Sequence, residues 1–116
     1  MKLSDAQKEF AVHASLLIQE INRRGWACTL GDCYRSPRAF GAMGEPGPYG
    51  RASSAHKQRL AIDLNLFNPS GEYIEDSAGH QQFGEYWESL HPQNRWGGRF
   101  TPSDGNHYSR LWGGIA

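Results

Sequence analysis

The first two dozen residues carry the clearest periodicity in the chain. Phe10, Ala14, Leu17 and Ile21 recur at helical spacing, and Leu16 and Ile18 widen the apolar stripe. Ser4 followed three residues later by Gln7 has the form of a capping box, and Arg23-Arg24-Gly25 supplies two cations and a glycine at the far end. The pattern predicts a helix over residues 4–24. Residues 26–34 are rich in aromatic and small apolar side chains and read as a strand. Residues 36–54 have no period: Pro37, Gly41, Gly44, Pro46, Gly47, Pro48 and Gly50 break every pattern. An irregular loop of that length in a small domain usually serves function or stays mobile.

Residues 60–67 alternate. Leu60, Ile62, Leu64 and Leu66 fall on one side, with Ala61, Asp63, Asn65 and Phe67 on the other. Asn68-Pro69-Ser70-Gly71 is a turn, and Glu72-Tyr73-Ile74 can return as a short strand. Residues 76–90 suit a helix carrying Phe83, Tyr86, Trp87 and Leu90, stopped by Pro92. The Gly-rich, aromatic remainder holds one further strand near residues 106–110. There is no internal repeat and no boundary, so residues 1–116 are expected to form a single domain.

Composition narrows the function. Twelve basic and 12 acidic residues leave no net charge. That argues against nucleic-acid binding by counterion release and against a polybasic membrane anchor. No apolar stretch approaches the roughly 18 residues a membrane helix needs. Met1-Lys2-Leu3-Ser4-Asp5 lacks the apolar run of a signal peptide, so synthesis in a cytoplasm is expected. Cys28 and Cys33 make no disulfide framework and read as two reduced thiols on or beside one strand.

The side chains that could do chemistry fall in two clusters. Asp63 lies mid-strand, where a carboxylate usually faces water, but His56 lies seven residues upstream behind Ser53-Ser54-Ala55. Imidazole and carboxylate suit zinc. An offset of seven points the two to opposite faces, so the chain must bend between them. The second cluster is Asp104-Gly105-Asn106-His107. Gly105 permits a turn that would converge Asp104 and His107, although Asp-Gly-Asn alone is simply a turn. Glu88 and His91 share the Asp104–His107 spacing, but they sit at a helix end before Pro92 and read as solvated. His13 and His80 read as helix-surface or helix-start residues.

Together these segments resemble a known family. Ser54-x-His56 followed by Ala61-x-Asp63 is similar to the Ser-x-His-x-x-Gly-x-Ala-x-Asp signature of the zinc D-alanyl-D-alanine peptidases. That group includes phage L-alanyl-D-glutamate endolysins and shares its fold with the hedgehog signalling domain. Trp96-Gly97-Gly98-Arg99-Phe100 with Asp104-x-x-His107 resembles the second motif, and Tyr34-Arg35-Ser36 the family's upstream Tyr-Arg-Ser. The signature's glycine falls at Arg59. The resemblance implies an α+β fold, a small antiparallel sheet with helices packed on one face.

It also implies one Zn²⁺ per chain held by His56, Asp63 and His107, with an open fourth position. Asp104 would be the general base, and Arg35 would bind the oxyanion or a substrate carboxylate, unless it forms a surface ion pair. Ser54 would bind substrate or only cap the turn. The implied substrate is the stem peptide of bacterial peptidoglycan, cut by a monomer that resembles compact endolysins and reaches the wall after a holin opens the membrane. The alternatives are a D-Ala-D-Ala carboxypeptidase or dipeptidase, and a zinc-stabilised binding module. Retention of Asp104 argues against the last, because a structural site needs no base.

Overall fold

The computed structural model describes residues 1–116. Helix α1 (Leu3–Arg23) buries Ala6, Phe10, Leu17 and Ile21, one residue per turn or two along a single stripe. Leu16, expected in that stripe, is exposed. The expected capping pair is also replaced. The Lys2 amide donates to Asp5 Oδ2 at 3.1 Å, Ser4 lies inside the helix, and Gln7 Nε2 donates instead to the Gln58 carbonyl at 2.8 Å. At the C-terminus the Arg24 and Trp26 amides return to the Glu20 and Ile21 carbonyls, with Gly25 at φ +83. Arg23 and Arg24, which both donate to the Glu20 carboxylate, hold its pKa down at about 2.

Strand β1 (Ala27–Leu30) is shorter than the sequence pattern suggests. Beyond Leu30, Gly31 and Asp32 share one partner: the Gly31 amide donates to the Asp63 carbonyl and the Asp63 amide to the Asp32 carbonyl, each at 2.8 Å. Two residues opposite one is the pattern of a bulge, and it ends the regular ladder. The irregular segment that follows contains one short helix, α2 (Pro37–Phe40), with proline in its first turn.

Strand β2 (Ala61–Phe67) is the centre of the sheet. It pairs with β1 along one edge, and with β3 (Tyr73–Ile74) and β5 (His107–Arg110) along the other. Helix α3 (Ser77–Ser89) begins where Asp76 Oδ1 accepts from the Gly79 amide. It is followed by β4 (Asn94–Trp96), which pairs with β5. Three residues are too few to show alternation, and β4 was not foreseen. Every pairing is antiparallel, in the order β1-β2-β5-β4. Ile62, Leu64 and Leu66, with Leu60 just ahead of the strand, are buried against α1 and α3, where Phe10, Leu17, Phe83 and Trp87 complete the core. This is the expected α+β arrangement. It leaves the opposite face of β2, with Asp63 on it, free for chemistry.

Candidate metal centre and active-site cleft

The bend between His56 and Asp63 is made by a 3₁₀ turn, Ala55–Gln58, capped by Ser54, whose Oγ accepts from the His56 amide at 3.2 Å. Arg59 then takes φ 58 and ψ 35, the one non-glycine residue with positive φ. This is the position of the signature's glycine. Glycine enters that conformation freely, while another residue gives up about 1–2 kcal/mol there. The Arg59 guanidinium lies over the Tyr34 ring at 4.2 Å.

His56 is 2% exposed, and its Nδ1 stands 2.7 Å from the Cys33 carbonyl oxygen. A carbonyl only accepts, so Nδ1 carries the proton and Nε2 of the neutral ring keeps its lone pair. Nε2 faces Asp63 Oδ1 at 3.3 Å. Asp63 and His107 are direct partners across the β2–β5 ladder, which puts both side chains on one face. His107 Nδ1 lies 3.4 Å from the same Oδ1. One atom from each of the three residues falls within 4.8 Å of the other two. Asp63 Oδ1 is buried and has no hydrogen-bond partner. A buried carboxylate oxygen without a donor, flanked by two imidazole nitrogens, fits a cation between them. Burial pushes the Asp63 carboxyl up, but with no metal bound, protons on the facing nitrogens of His107 and His56 outweigh it and hold it down at about 2; a cation between the three would take the place of those protons.

The second half of the site depends on Trp96-Gly97. The Trp96 indole donates to the Gly105 carbonyl at 2.7 Å, and the Asp104 amide donates to the Gly97 carbonyl at 2.8 Å. A Cβ on Gly97 would lie 2.2 Å from the Asp104 carbonyl oxygen and 2.8 Å from His107 Cβ. The glycine is therefore required by close approach. The His107 amide closes the turn onto the Asp104 carbonyl at 3.1 Å. Gly105 has no positive φ, contrary to its expected role. It gives room to Ser77, whose Cα would be 2.5 Å from a Cβ there.

A cleft of about 150 Å³ opens over the cluster. Arg35, Ser54, His56, Asp104 and His107 all line it, so the six residues singled out in the sequence meet in one place, with Asp63 in contact with both histidines. Asp104 is exposed at the cleft. Arg35 is only 11% exposed and is no surface ion pair. Its Nε donates to Asp32 Oδ2 at 3.1 Å, its Nη2 lies 3.9 Å from Asp63 Oδ2, and the Tyr49 and Phe40 rings flank it. Asp32 also accepts from the Tyr49 hydroxyl at 2.9 Å. Sequence reasoning missed Asp32 and Tyr49; an acid three residues before Arg35 was the available signal.

The long loop borders the cleft through Gly50, Arg51 and Ser54. It is also pinned. The Lys57 ammonium donates to the carbonyls of Ala42, Glu45 and Ala52 at 3.2, 2.7 and 2.9 Å. The rival acid–histidine pair lies elsewhere. Glu88 pairs with Arg99 at 2.8 Å, and His91 Nδ1 accepts from the Gln93 amide. His80 is not a surface residue: it is buried on α3, with Nδ1 2.7 Å from the Tyr108 hydroxyl, and burial lowers its pKa. Cys28 and Cys33 are both free thiols.

A family model described as D-alanyl-D-alanine carboxypeptidase matches residues 49–110. Among solved structures, the crystal structure of the Serratia marcescens L-Ala D-Glu endopeptidase ChiX is similar, with a TM-score of 0.53 at 18% identity. The likeness covers 81% of this chain and 77% of that one, and it shows the shared fold. No curated protein matches. The family match spans more than half of the chain and takes in His56, Asp63, Asp104 and His107: the chain belongs to the D-alanyl-D-alanine carboxypeptidase family of zinc peptidases.

Proposed function

We propose that this peptidase uses one zinc ion, held by His56, Asp63 and His107, to cut the L-alanyl-D-glutamate bond of the peptidoglycan stem peptide. The observation that carries the reading is the buried, donorless Asp63 Oδ1 between two imidazoles, beside an exposed acid, Asp104, in the same cleft. A structural zinc site would be closed and would have no use for that acid. Bound zinc would polarise the scissile carbonyl and acidify a water toward a pKa of about 7. Asp104 then accepts the proton of the attacking water and returns it to the leaving amine. Arg35, fixed by Asp32 and two aromatic rings, donates to the carbonyl oxygen as negative charge develops there. Ser54 supports the site by capping the turn that carries His56.

In this reading the enzyme works as a monomer on the cell wall, in the manner of a compact endolysin released through a holin-opened membrane. Digestion of purified peptidoglycan with mass analysis of the fragments tests it. New N-terminal D-Glu is the expected result. Release of free D-Ala would replace the endopeptidase with a carboxypeptidase, and no cleavage by zinc-loaded protein would end the reading.

A further inference from the structure

Two arginines line the cleft, and they differ in what they are free to do. Arg35 is committed to Asp32 and lies 3.9 Å from Asp63. Arg51 is exposed and has no ion-pair or hydrogen-bond partner in the protein. Its backbone is nevertheless held on both sides. Tyr49 is tied to Asp32 through its hydroxyl, and a Cβ on Gly50 would lie 2.5 Å from Arg35 Nη1, so the chain there runs tight against Arg35. On the other side, the Ala52 carbonyl accepts from Lys57 Nζ and from the Gly44 amide, each at 2.9 Å. An unpaired cation on a fixed backbone can bind an anion with little loss of chain entropy.

The candidate bonds share one chemical feature. In L-alanyl-D-glutamate, the glutamate continues through its γ-carboxyl, so a free α-carboxylate sits on the carbon bearing the leaving nitrogen. In D-alanyl-D-alanine, the terminal carboxylate sits on the equivalent carbon. Asp104 would repel that group, and Arg35 is already shared between two carboxylates. We propose that Arg51 determines specificity by binding the α-carboxylate of the amino acid on the leaving side. This rests on the peptidase reading above and names its substrate class as peptides that carry that carboxylate.

The test uses two synthetic stem peptides that differ only at the D-Glu α-carbon, carboxylate in one and carboxamide in the other. Zinc-loaded wild type, Arg51→Gln and Arg51→Lys are compared on both. For wild type, amidation should lower kcat/KM by roughly 10- to 100-fold, the worth of a charge-assisted hydrogen bond. Arg51→Gln should fall by a similar factor on the acid and hold its rate on the amide, so the preference disappears. Arg51→Lys should keep most of it. Equal wild-type rates on both peptides would overturn the assignment, as would an Arg51→Gln that loses the same factor on each or keeps the wild-type preference. If wild type cleaves neither peptide, the stem-peptide reading fails first and takes the assignment with it.

Discussion

Two aspartates of the same chemistry stand at the cleft in different surroundings, and those surroundings decide what each is able to do. Asp63 is clamped by backbone bonds to Gly31 and Asp32 and pressed between two imidazoles that keep it ionised. It can hold a cation but has no freedom to exchange protons. Asp104 uses only its backbone in the fold, through Gly97 and His107, and leaves an exposed carboxylate at the cleft. Asp104→Asn is nearly isosteric and cannot accept a proton. Zinc content should stay at wild-type level while kcat falls by a factor on the order of 10² to 10⁴. Elemental analysis with steady-state kinetics on peptidoglycan checks it, and near-normal turnover with zinc bound would remove Asp104 from the mechanism. Glu88 would not replace it, because its carboxylate is held by Arg99 away from the cleft.

At the scale of elements, the helices and the central strand were legible because each buries a regular stripe. The expected helix over residues 4–24 is Leu3–Arg23, that over 76–90 is Ser77–Ser89, and the alternating run over 60–67 is Ala61–Phe67. What convergence of the site required was not legible. Periodicity set His56 and Asp63 on opposite faces, and only the 3₁₀ turn with Arg59 in the left-handed region reverses that. Family resemblance supplied the three proposed ligands, while the spacing alone did not. The loop over residues 36–54 was unreadable for a different reason. Much of its order comes from side chains outside it: Asp32 holds Tyr49, and the Lys57 ammonium gathers three carbonyls from distant points of the loop. Lys57→Met keeps the apolar stem and removes every donor. Hydrogen exchange should then quicken through residues 41–53 but not in α1 or β2, with stability lower by roughly 1.5–3 kcal/mol, the net worth of hydrogen bonding from a charged donor. Unchanged exchange across the loop would show that Lys57 is not what orders it.

Across the whole molecule, the three proposed ligands come from parts of the chain that meet only when the fold is complete. His56 sits on a turn packed under the loop, Asp63 on the central strand and His107 on the strand beside it. The unfolded chain has no such cluster, so a metal that binds here binds the native state and stabilises it by mass action. Free zinc at about 1,000 times its dissociation constant would add roughly 4 kcal/mol. For a domain of this length, each kcal/mol moves Tm by about 4 °C. Chelation should therefore lower Tm by well over 10 °C, about the product of those two estimates. Zinc should restore it in wild type and in Asp104→Asn, which keeps all three ligands. His107→Ala should melt at one temperature with or without zinc. The His91→Ala control separates the cluster from the rival pair at the end of α3: it should keep the full zinc response, because the His91 imidazole meets the Gln93 amide and the neighbouring His13 ring, far from the cleft's lining. A zinc response that survives His107→Ala and vanishes in His91→Ala would move the metal to the helix end and leave the cleft without its ion.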